Sequence, residues 1–114
     1  MAIDVSFQNP QAVGFDLGQL LVGLTHAGQL PAAALPEIHA VLVPAFTGGL
    51  HAEGGQASAE EVAWGYVASL AVRAGFTSLP FERLAEPPTP ALAATFRERA
   101  ALTRVIADLA LALR

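Results

Sequence analysis

Cysteine and lysine are both missing from this sequence of 114 residues, and all six of its basic residues are arginine. Without cysteine there is no disulfide, no thiol nucleophile and no cysteine-ligated zinc, and a cytoplasmic location is the default expectation. Without lysine there is no Schiff base, no Walker-type phosphate lysine and no lysine to anchor a nucleotide. Charge is scarce as well: acidic and basic residues make up 14% of the chain, and the net charge is −4. Such a chain lacks the cationic footprint that nucleic acid or anionic lipid requires, so neither is expected as a partner.

Apolar residues are plentiful, at 54% of the chain. Their longest stretches are interrupted at Pro36, His39, Pro44 and Gly48, short of the ~20 residues a bilayer span requires. Met1 is followed by Ala2-Ile3-Asp4-Val5, with neither a basic leader nor a signal-peptide core. The expectation is a soluble protein without a membrane partner. In a soluble chain an apolar excess points to a large buried interface instead. The length suits one domain, with 1–114 as a single helical unit.

The segment Ile3-Asp4-Val5-Ser6-Phe7 alternates apolar and polar residues, as a short extended segment does, and Asn9-Pro10 turns the chain. The remainder reads as four helices. Asp16 precedes Leu17, Leu20, Leu21 and Leu24, whose spacing predicts a first helix over 17–27 with Asp16 as its N-cap and Gly28 as its stop. A second helix starts near Ala33, tolerates Pro36 in its first turn, kinks at Pro44 and ends at Gly54-Gly55. Its expected apolar stripe is Ile38, Val41, Leu42, Ala45 and Phe46. Ser58-Ala59-Glu60-Glu61 is a capping box opening a third helix that closes at Gly75. After a proline-rich link, Thr89-Pro90 starts a fourth helix of about 25 residues, with Leu92, Phe96, Ala100, Leu102, Ile106, Leu109 and Leu113 on one side. The fold class is therefore all-α: a four-helix domain with a short N-terminal extended segment.

Chemistry-bearing residues are few. His26, His39 and His51 do not share a helix face, so no metal role is expected of them; His26 belongs at the end of its helix, where a cation favours the dipole. No serine stands at a catalytic-motif spacing from a histidine, and no G-x-G-x-x-G or Walker pattern occurs. Trp64 and Tyr66 stand two apart and so face different ways, one into the core and one toward an interface. Asp4, an aspartate after an apolar residue and near a turn, is the acid best suited to hold a divalent metal beside a phosphate, although an ordinary strand-end carboxylate reads the same way.

Ala2-Ile3-Asp4-Val5 followed by Val13-Gly14-Phe15-Asp16-Leu17-Gly18-Gln19-Leu20-Leu21 resembles the C-terminal part of the aminoglycoside phosphotransferase-like family, whose members have the protein-kinase-like fold. Gly49-Leu50-His51-Ala52-Glu53-Gly54, Leu79-Pro80-Phe81, Pro87-Pro88-Thr89-Pro90 and the closing Arg99-Ala100-Ala101-Leu102 helix resemble bacterial members as well. The resemblance implies that Asp4 is a Mg²⁺ ligand beside the phosphates of ATP, and that Asp16 caps its helix and braces the catalytic loop. The helices after it would form the lobe that receives an acceptor alcohol.

Val5 stands where the family usually has tryptophan, and Ser6 where it often has glycine. The His-Gly-Asp catalytic loop and the nucleotide-binding lobe, which lie upstream of the Asp4 position in the family, are not in this sequence. Phosphoryl transfer needs a base, two metal ligands and a cationic clamp, so the chain alone is expected to be inactive and to need no cofactor. Three functional readings follow: a C-terminal phosphotransferase fragment, a non-enzymatic helical module that forms homodimers through exposed apolar helix faces, or a binding domain using the old acceptor cleft.

Overall fold

The computed structural model describes residues 12–113, an all-α chain with no strand among them. Its helices are α1 (Leu17–His26), α2 (Leu35–Ala52), α3 (Ala59–Ala74) and α4 (Pro90–Ala112), with single 3₁₀ turns at Ala32–Ala34 and Phe81–Arg83. The segment Ile3–Phe7, expected to be extended, lies outside the described residues.

Helix starts separate into two kinds. Ser58 and Thr89 have extended backbones, and their hydroxyl oxygens accept from Glu61 N at 3.1 Å and Leu92 N at 3.1 Å; the Glu61 carboxylate accepts in return from Ser58 N at 2.8 Å. This is the expected capping box, together with proline at the first position of α4. Asp16, like Ala34 before α2, is of the other kind. It holds the N-cap position of α1, but its backbone is already helical, with φ −72° and ψ −17°, and its side chain makes no cap hydrogen bond. A capping side chain reaches the first-turn amides only from an extended residue. Here backbone carbonyls do part of that work, since Ala12 O accepts from Phe15 N and Gly14 O from Leu17 N. The capping expected of the Asp16 carboxylate is therefore corrected: what it brings is a negative charge near a helix N-terminus.

Helix ends follow the glycines. At the end of α1, Gln29 N bonds to Leu24 O and Gly28 N to Thr25 O, a Schellman motif with Gly28 at φ +78°. Gly54 and Gly55 end α2 in the same way through Leu50 O and His51 O. Between these ends α2 runs unbroken through Pro44 and Gly48-Gly49.

The core is built around α3, which packs against each of the other three helices, most extensively α4. Leu17 and Leu21 of α1, Leu35 of α2, Val62, Tyr66 and Leu70 of α3, and Leu102 and Ile106 of α4 are its buried centre. Each such side chain contributes about 1.5–3 kcal/mol relative to exposure.

Two stripes are rotated from their expected faces. On α1, Gly18, Val22 and Thr25 join Leu17 and Leu21 inside, while Leu20 and Leu24 remain 67% and 54% exposed. The reason is Gly18: α1 approaches α3 so closely there that an added Cβ would lie 3.2 Å from Leu70. On α2, Val41 and Ala45 face outward. Leu35 and Thr47 are its buried residues, with Ile38, Leu42, Val43 and Phe46 half-buried against the core. On α4, Ala100 is exposed.

Candidate functional site

Asp4, which the resemblance assigns to Mg²⁺, lies outside the described residues. The turn that connects its segment to α1 is described, and it is held tightly. Gly14 has φ +84°, a conformation that L side chains rarely adopt, and a Cβ there would lie 2.7 Å from Val62 O. On the facing side, a Cβ on Gly65 would overlap the Val13 carbonyl oxygen. Two glycines, one on the turn and one on α3, thus let two backbones meet. Asp16 stands exposed at the end of this turn, and Arg73 of α3 places its guanidinium carbon 4.6 Å from the Phe15 ring centroid, a cation–π contact.

The three histidines are dispersed, and the side chains of two of them are tied down. His39 Nδ1 is 3.0 Å from the hydroxyl of Tyr66, across the α2–α3 contact. Burial pushes the Tyr66 hydroxyl up to about 12 and holds His39 below the usual imidazole value. Tyr66 is the core member and Trp64 the exposed member of the aromatic pair. His51 Nε2 is 2.7 Å from Ala57 O and closes the loop between α2 and α3. His26 occupies the C-terminal position of α1, but burial and then the Arg99 charge lower its pKa, so its role as a cation there is disfavoured.

Arg99 of α4 fastens the bundle: it donates to His26 O at 3.0 Å and Ser78 O at 3.2 Å, the ends of α1 and of the turn after α3. Its neighbour Glu98 accepts from Ala32 N at 2.6 Å. Only tertiary structure brings these partners together, and nothing in the local sequence around Arg99 or His39 announces them.

Among the described residues no group of three or more His, Asp or Glu could hold a metal ion. The cavities are small. One of about 170 Å³ lies between α1 and α3, over Gly18, Val22 and Leu70 and under Gln19, His26 and Arg73. A second, of about 220 Å³, continues beyond His26 toward Glu98 and Arg99. A third, of about 360 Å³, sits under the link before α4, beside Arg83, Glu86 and Phe96. By length and composition Ala32–Ala52 is apolar enough to cross a membrane; α2 carries Glu37, two histidines and Pro44 within that stretch.

No protein-family model matches the chain, and no curated protein or solved structure matches it.

Proposed function

We propose that this chain is the C-terminal helical part of an aminoglycoside phosphotransferase-like enzyme, and that alone it transfers no phosphoryl group. The observation that carries this reading is the turn at Ala12–Asp16. The glycine, the aspartate and the leucine-rich helix of the resembling segment have a physical reason for their order: Gly14 lets the turn press on Val62 and Tyr66, and α1 begins directly after Asp16. An all-α lobe is also the architecture such a part would have. To a metal centre the chain would bring one carboxylate, Asp4, and the base and phosphate clamp would come from elsewhere. Incubation of the chain with Mg²⁺, ATP and a panel of small alcohols and amino sugars should give no product above background. Metal-dependent turnover that disappears in Asp4→Ala would overturn the proposed inactivity.

A second reading, a helical module that associates with a second copy, is favoured by the apolar side chains left outside. Leu20 and Leu24 lie one turn apart on α1, and Val41 of α2 is 61% exposed. Large apolar groups grouped on helix surfaces are what interfaces cover, and an isologous dimer is the commonest way to cover them. The two readings are compatible, because a detached lobe exposes what its missing partner covered.

A further inference from the structure

The groove between α1 and α3 has a charge character opposite to that of the chain. Ten acidic residues outnumber six basic ones overall, yet among the described residues those lining this groove include Arg73 and His26 and no acid. The spacing explains how it is built. Gln19, Val22 and His26 recur at three and four residues along one face of α1, and Leu70 and Arg73 stand three apart on α3, with Thr77 in the turn after it. Where Gly18 lets the helices close on Leu70, the groove gains an apolar floor. Its polar side chains stand at the rim.

We propose that this groove binds a small organic carboxylate, the carboxylate held at the rim by Arg73, with His26 farther along the same rim, and the apolar body resting on Gly18, Val22 and Leu70. The Arg73 guanidinium is positioned by its stacking on Phe15, which leaves its N–H edge to donate. Thr77 donates its hydroxyl proton to Arg73 O at 2.8 Å, which pins the rim at that end. A volume of about 170 Å³ is below the ~300 Å³ of pockets for drug-sized ligands, so the body is a single ring or a short branched chain. Burial and Arg99 both disfavour the charged form of His26. An anion in the same groove works against that preference, so binding takes up protons and, by reciprocity, tightens as the pH falls toward 6. Glu98 and Arg99 of α4 border the groove beyond His26; Glu98 already accepts from Ala32 N. This proposal does not depend on the phosphotransferase reading, since it uses neither Asp4 nor ATP.

The test is an NMR titration of the full chain with sodium benzoate, following the His26 ring signals across pH. The expected result is a saturable shift with an upward move of the His26 pKa. Arg73→Gln should weaken binding at least tenfold, as should Gln19→Glu, which sets a carboxylate at the rim without touching the core. Both changes are at exposed positions, and circular dichroism checks the fold. Arg83→Gln, on the distant link, should change nothing. No saturable response would overturn the proposal, as would equal binding by the Arg73→Gln and Gln19→Glu variants. Inorganic phosphate at matched ionic strength acting as well as benzoate would also overturn it, because the apolar floor would then contribute nothing.

Discussion

Gly65 of α3 and the carbonyl of Val13 meet with no space for a methyl group between them. The contact fastens the turn at Ala12–Asp16 to the centre of the bundle. Gly65→Ala should therefore cost about 1–3 kcal/mol, the range for overpacking. Gly48 is the control, because nothing lies within 4 Å of a Cβ placed there. Gly48→Ala in the interior of α2 should instead stabilise by about 0.5–1 kcal/mol. Urea unfolding of both variants checks this, and equal effects would mean that the turn is not fastened.

The hydrogen bond between His39 and Tyr66 couples α2 to α3, and the burial of these groups sets the pH window of stability. His39 and His26 have pKa values lowered by folding, so the unfolded chain binds protons first as the pH falls. Stability should be at its full value above about pH 7 and decline below about 6.5, the unperturbed histidine value. Tyr66, raised to about 12, acts at the other end: the unfolded hydroxyl ionises first, so stability should fall again above about pH 10. Thermal melts from pH 5 to 11 should show this plateau. Tyr66→Phe should lower it by about 0.5–1.5 kcal/mol, the worth of an ordinary hydrogen bond, and remove the Tyr66 part of the alkaline decline.

Capping makes a sharper comparison, because two acidic or hydroxyl residues hold formally equal positions. Ser58→Ala breaks the capping box and should cost about 1 kcal/mol. Asp16→Ala removes no side-chain cap bond, and in 0.5 M NaCl, where its dipole interaction is screened, it should cost less than half as much. A loss at Asp16 equal to that at Ser58 would restore the capping role that its position suggests.

Self-association has its own signature. Light scattering at tens of micromolar should give a mass above the 11.8 kDa of one chain. Replacing the exposed pair Leu20→Gln and Leu24→Gln should return it toward the monomer while leaving the helical signal intact. A wild-type monomer at that concentration would contradict the homodimer reading.

Much of the fold was legible in the sequence, because its punctuation is local. Ser58 with Glu61, Thr89 with Pro90, and Gly28 and Gly54 mark helix ends through bonds that span three to five residues. The rotation of the helices was not legible. Leu20 and Val41 look like core residues by spacing, and only the close approach at Gly18 and the bond from His39 to Tyr66 decide which side of α1 and α2 turns inward. The α1–α3 groove was hidden for the same reason: Gln19 and His26 stand on one helix, Arg73 on another, and their meeting depends on how those helices pack. Asp4, whose spacing from Asp16 is the most specific part of the resemblance, lies outside the described residues.

The central claim, that these helices belong to a larger phosphotransferase-like protein, is tested most directly by sequencing the coding DNA immediately upstream of the Met1 codon and reading it in frame. The account predicts an open frame that encodes a His-Gly-Asp catalytic loop and, before it, a lobe carrying the missing lysine. An in-frame stop codon followed by a ribosome-binding site would contradict it and leave the stand-alone helical module.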